Sequence, residues 1–117
     1  MGKLTTHILD TAQGRPGKGI ILRLYKCGKG KDTLIGRFKT NSDGRCDKPL
    51  LADATFKKGR YRLEFDIAAY YKSAGIKFAA VPFLDVIAIN FGIADEKAHY
   101  HVPLLVSPYG YSTYRGS

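Results

Sequence analysis

Chemistry-bearing side chains are scarce in this chain of 117 residues, which has two cysteines and three histidines. Cys27 and Cys46 cannot build the multi-bridge framework of small secreted domains, and their spacing fits no Cys-x-x-Cys or zinc motif. They are expected to be free thiols in a reducing compartment. Long apolar runs are missing too. A helical membrane span needs roughly 18–20 apolar residues, whereas the longest stretch here, around Val86–Ile89, is strand-sized. The opening Met1-Gly2-Lys3-Leu4-Thr5-Thr6-His7 has one basic residue and no apolar segment, so no secretory leader and a cytoplasmic location are expected. Gly2 would suit myristoylation, but Lys3-Leu4-Thr5-Thr6 has the pattern of a strand opening, which argues against it. There is no internal repeat, linker or low-complexity segment, and one domain over residues 1–117 is expected.

Negative charge is in short supply. Nineteen Lys and Arg against ten Asp and Glu leave a formal charge of +9. The basic residues are spread along the chain, and nine of the nineteen flank three turn regions: Arg15 and Lys18; Lys26, Lys29 and Lys31; and Lys57, Lys58, Arg60 and Arg62. No run of five or six occurs, and no RNP-type or helix-turn-helix pattern accompanies them. Lysines on turns and on solvated strand faces account for the charge, so neither a nucleic-acid nor a membrane partner is expected. A basic, nucleic-acid-binding β-barrel would rest on charge alone.

What the chain has in abundance is alternation with period two. Tyr61, Leu63, Phe65 and Ile67 alternate with Arg60, Arg62, Glu64 and Asp66. Ile20, Leu22 and Leu24 alternate with Ile21, Arg23 and Tyr25. Ile87, Ile89, Phe91 and Ile93 oppose Val86, Ala88, Asn90 and Gly92, while Tyr100, Val102, Leu104 and Val106 oppose His99, His101, Pro103 and Leu105. Weaker strands are expected over Lys3–Leu9, Thr33–Lys39, Lys48–Ala52 and Gly110–Arg115. Turn signals separate them, including Gly28-Lys29-Gly30 and Asn41-Ser42-Asp43-Gly44. One stretch, Ala68–Ala74, suits two helical turns, with Gly75 placed to end them. Eight short strands and one helix predict an all-β antiparallel sandwich or closed barrel. Pro103 inside a strand pattern points to an edge or a bulge. The apolar face formed by Val86, Ala88 and Gly92 predicts contact with a second subunit.

Candidate chemistry is confined to a few positions. His7 shares a strand face with Thr5 and Leu9. His99 and His101 share another, two residues and roughly 6.5–7 Å apart by strand rise. No carboxylate or thiolate sits at a spacing that would complete a metal site, so none is expected. Arg45 leaves the Asn41–Gly44 turn and enters a strand. The terminal Tyr109–Ser117 is aromatic and strand-patterned where a tail is normally frayed and polar.

His99-Tyr100-His101-Val102-Pro103-Leu104-Leu105-Val106-Ser107-Pro108 with the terminal Tyr114-Arg115-Gly116-Ser117 resembles the closing signature of the 5-hydroxyisourate hydrolases, transthyretin-related enzymes of urate breakdown. Leu4-Thr5-Thr6-His7-Ile8-Leu9-Asp10 with Gly14-Arg15-Pro16 resembles their first signature, and Asp43-Gly44-Arg45 their middle one. The similarity runs along the whole chain. One departure is Gly17, where the family usually carries Ala.

The resemblance implies a transthyretin-like β-sandwich of two four-stranded sheets with one short helix. It further implies a homotetramer, a dimer of dimers with sites between dimers, and hydrolysis of 5-hydroxyisourate without cofactor or metal. The family's catalytic set falls on His7, Arg45 and His101. Ser117 joins them as orienter or proton relay, while Tyr114, Arg115 and Gly116, with His7 and Arg45, contact substrate. His99 aligns with a variable position and is left out. Amide hydrolysis suits these side chains, because imidazole serves as base or acid near neutrality and guanidinium holds an oxyanion without titrating. Which histidine is the base stays open. The rival expectation is a transthyretin-like carrier without turnover, a class that lacks the His7, His101 and Tyr-Arg-Gly-Ser set.

Overall fold

The structure, a computed structural model, describes residues 2–78 and 80–116. Its strands are β1 (Lys3–Asp10), β2 (Arg15–Pro16), β3 (Ile21–Cys27), β4 (Asp32–Lys39), β5 (Leu51–Ala52), β6 (Gly59–Asp66), β7 (Val86–Ile93), β8 (Tyr100–Ser107) and β9 (Gly110–Thr113). A 3-10 turn spans Asp53–Thr55, and one helix, α1, spans Ile67–Ser73.

The strands form two sheets. One runs β4-β3-β6-β7 and is antiparallel throughout. The other runs β2-β1-β8-β9, with β5 also paired to β1. Since β8 lies along one edge of β1, the two-residue strands β2 and β5 share its other edge. The alternation seen in the sequence becomes burial: Leu4 and Ile8, Leu22 and Leu24, Leu63 and Phe65, and Leu104 and Val106 meet in one core. Gly17 belongs to that interior, because a Cβ there would lie 2.6 Å from Ile20 Cδ1.

Several local features differ from expectation. β1 and β8 run parallel, unlike every other pair, because the second sheet and the helix lie between them in the chain. The strand expected over Lys48–Ala52 contracts to Leu51–Ala52; before it the chain meets β1 at separate points, among them Gly44 O, which accepts Ile8 N at 2.8 Å, and Leu50 N, which donates to Leu4 O at 2.8 Å. Pro103 lies in an interior strand, in register with His7. It fits there because the parallel pair is bonded through His7's own amide and carbonyl. On its other side Pro103 is one residue past the β9 ladder, whose last pair is Leu104–Thr113.

The helix starts and ends one residue earlier than expected. Gly75, at φ +87°, closes it: its N–H donates to Lys72 O at 3.1 Å, and Ile76 N to Tyr71 O at 3.0 Å. That pair of bonds is a Schellman ending, which requires a left-handed residue. Ile67, Ala68 and Tyr71 face the core.

The helix is tied to β1 by a buried carboxylate. Asp10, 1% exposed, accepts hydrogen bonds from Tyr70 Oη (2.7 Å), Tyr71 Oη (2.8 Å), Gln13 Nε2 (2.7 Å) and the amides of Ala12 (3.0 Å) and Gln13 (3.1 Å). Burial alone would raise its pKa, but the bonds from Tyr70, Tyr71 and Gln13 outweigh burial and hold it below the usual carboxylate range. Burial and Asp10 push the Tyr70 phenol up to about 12, so it remains a donor. A carboxylate whose pKa is lower folded than unfolded stabilises the fold above its unfolded pKa, and that contribution disappears as pH falls through the folded value. Asp10→Asn is therefore expected to cost about 2–3 kcal/mol in urea unfolding at pH 7, a gap that narrows in acid as the wild-type carboxyl protonates. An unchanged midpoint at neutral pH would contradict this role.

Candidate active site

Period-two geometry turns Thr5, His7 and Leu9 away from the core while Leu4, Thr6 and Ile8 fill it. On β8 the same rule turns His101 outward between buried Tyr100 and Val102. The parallel register sets Thr5 opposite His101 and His7 opposite Pro103, so the two histidines are diagonal neighbours on one sheet face. Their ring centroids are 6.5 Å apart with planes tilted by 38°.

Arg45 reaches the same place from β1's other edge. Asn41 Oδ1 accepts the amides of Asp43 (2.9 Å) and Arg45 (3.2 Å), and Gly44 N donates to Asn41 O at 3.0 Å. Gly44 has φ +75°, and a Cβ there would lie 2.4 Å from Ile8 O. Only glycine allows this turn to lie so close to β1. The result is a bridge pairing His7 with Arg45. Three segments distant in sequence thus deliver two half-buried imidazoles and an exposed guanidinium to one surface.

Both imidazoles are held below their ordinary pKa. For His7 the causes are burial and then the Arg45 charge, opposed by the carbonyl and carboxylate of Asp43. For His101 they are burial, Arg45 and His7, in that order. Burial first, and then one cation that bears on both rings, favours the neutral form, in which an imidazole nitrogen can take a proton. Cys46 follows Arg45, but burial and Asp47 push its thiol up to about 11, so it is not a thiolate nucleophile at neutral pH.

The tail arrives over His101. Gly116 N donates to His101 O at 2.8 Å, and a Cβ on Gly116 would lie 2.6 Å from His101 Cδ2. Arg115, expected at substrate, is engaged elsewhere: its guanidinium carbon is 4.0 Å from the Tyr100 ring centre, and Nη2 donates to His99 O at 3.2 Å. It anchors the tail. Tyr114 is exposed just beyond β9, His99 is exposed, and Ser117 lies outside the described residues.

Thr5 went unassigned in the sequence. Its Oγ1 is 2.8 Å from His101 Nδ1. Its place on His7's face was visible, but contact with His101 depends on a strand register that one sequence does not reveal. Among the described residues no group of three His, Cys, Asp or Glu is arranged to hold a metal ion.

A model of the HIUase/Transthyretin family matches residues 4–116. The chain belongs to the HIUase/Transthyretin family. Within it, a 5-hydroxyisourate hydrolase of Ralstonia nicotianae is 51% identical, with all of both chains covered. A solved 5-hydroxyisourate hydrolase of Klebsiella pneumoniae is 33% identical at TM-score 0.82, again with all of both chains covered. A sea bream transthyretin in complex with thyroxine is 30% identical at TM-score 0.85, covering 97% of this chain and 94% of that one. A solved (S)-allantoin synthase is 43% identical at TM-score 0.94, covering 99% of this chain, which spans 44% of that longer one.

Proposed function

We propose that this chain hydrolyses 5-hydroxyisourate, opening its ring at an amide bond to give 2-oxo-4-hydroxy-4-carboxy-5-ureidoimidazoline. The observation that carries the reading is the meeting of His7, Arg45 and His101 on one sheet face, in a chain 51% identical to a hydrolase of that name. One neutral imidazole takes a proton from water as oxygen attacks the ring carbonyl. Arg45 holds the developing oxyanion through its planar fork. The imidazole pair then returns the proton to the departing nitrogen as the carbon–nitrogen bond breaks. No cofactor enters this scheme. Tyr114 and Gly116 would bound the substrate, and Ser117 would orient a histidine.

A carrier of the transthyretin kind shares the fold, and turnover separates the two readings. Following 5-hydroxyisourate absorbance, with substrate generated in situ from urate, should show decay accelerated by the protein. His7→Ala and His101→Ala are each expected to lower kcat by about 100-fold or more with the fold intact. Arg45→Lys should lose at least about tenfold, because the charge stays but the paired donors do not. Since the base is the neutral ring and both pKa values are depressed, the acid limb of kcat/KM should lie below pH ~6.5, the ordinary imidazole value. Near-normal rates in either alanine variant would contradict the assignment.

The same reading makes the assembly a homotetramer. Its support is the open site face together with two sheet edges, β7 and β9, that flank a concavity of about 250 Å³ bordered by Ile89, Phe91, Val102 and Thr113. Val86, at the start of β7, is 47% exposed. Unpaired edges and bare apolar side chains are what a second subunit covers. Sedimentation equilibrium at micromolar concentration should give four chains per particle, and a monomer would refute it. The cytoplasmic location belongs to this reading as well; no helix among the described residues is long and apolar enough to cross a membrane.

A further inference from the structure

We infer that Thr5 is a positioning residue for His101, its hydroxyl accepting the Nδ1 proton so that Nε2 is the nitrogen left to exchange a proton at the site. The inference rests on the hydrolase reading for its catalytic meaning, and on geometry for its substance. Thr5 and His101 are paired in register across β1 and β8, and Oγ1 lies 2.8 Å from Nδ1. That is the one hydrogen bond made by either side chain among the described residues.

The ring is confined on a second side. A Cβ on Gly116 would fall 2.6 Å from Cδ2, 3.2 Å from Cγ and 3.3 Å from Cβ of His101, so the tail backbone lies against the imidazole. Arg115, stacked on Tyr100, keeps that backbone in place. Turning the ring over would exchange Nδ1 with Cδ2, losing the bond to Thr5 and setting a carbon against its hydroxyl. The nitrogen facing Thr5 is thereby settled, and Nε2 lies on the opposite edge of the ring.

Tautomer then decides the chemistry. A neutral imidazole has a single ring proton, and the nitrogen bearing it cannot be a base. With the proton on Nδ1 and held by Thr5, Nε2 keeps its lone pair. When Nε2 takes a proton, the imidazolium still donates through Nδ1 to the same oxygen, so Thr5 serves both states without moving. Valine in its place offers a methyl group, frees the ring to take its proton at Nε2, and so puts the proton on the wrong nitrogen.

The test compares wild type, Thr5→Val and Thr5→Ser, using 5-hydroxyisourate turnover together with 15N chemical shifts of the His101 ring. Thr5→Val should lower kcat about tenfold or more while KM changes by less than about threefold, and Thr5→Ser should restore most of the loss. The wild-type ring should be protonated on Nδ1 near neutral pH, and Thr5→Val should shift it towards Nε2–H. Wild-type kcat in Thr5→Val, or an Nε2–H ring in the unaltered protein, would overturn the proposal. A wild-type chain that does not turn over 5-hydroxyisourate would defeat the hydrolase reading instead, and the 15N shifts would still decide what Thr5 does.

Discussion

The pairing of β1 with β8 is the constraint on which the rest depends. Seven consecutive registered pairs, Leu4–Tyr100 through Asp10–Val106, join the first strand to one near the end of the chain. On its inner side this ladder closes the core, with Leu4, Ile8, Val102, Leu104 and Val106 all buried. On its outer side it places Thr5 against His101 and His7 one diagonal step away. Side chains alternate with period two, so a slip of one residue in either strand would turn that strand's histidine into the interior and expose its apolar residues. The burial that selects the fold is therefore the force that assembles the site. The imidazoles stand on strands fixed by a dry face rather than on loops that would need ordering.

Arg45 is held by a different means. It belongs to no regular strand, and its place is set by backbone bonds to β1 and by a left-handed glycine that can lie against Ile8 O. The arrangement sets a permanent positive charge beside two bases. That charge opposes protonation of either ring, which costs stability in acid but keeps the bases available near neutrality. Compensating order lies elsewhere: buried Asp10, with its phenol and amide donors, fixes the far end of β1 and helix α1. Stability and reactivity are thus carried by opposite faces of one strand.

Much of this was legible in the residues. Alternation located β3, β6, β7 and β8, and Gly75 marked the helix end. The clustering of His7, Arg45 and His101 followed from resemblance, since no spacing in the chain relates them. Parallel pairing was not legible, because β1 and β8 have the same alternation whichever way they run. Thr5 stayed hidden for that reason. Arg115 looked like a substrate ligand by its place in the terminal tetrapeptide, yet the nearby Tyr100 ring and His99 carbonyl engage its guanidinium. Asp10 was not legible: the strand was expected to end at Leu9, and Tyr70 and Tyr71 lie far along the chain, so only the fold brings them to the carboxylate. Ser117 lies outside the described residues.

The central claim, that two histidines and one arginine from separate segments form one electrostatic unit, is most directly tested by titrating both imidazoles by NMR in the wild-type chain and in Arg45→Met. Removing a cation that disfavours protonation of both rings should raise both midpoints together. If either midpoint stays where it was, that ring does not feel Arg45, and the three groups do not make a single site.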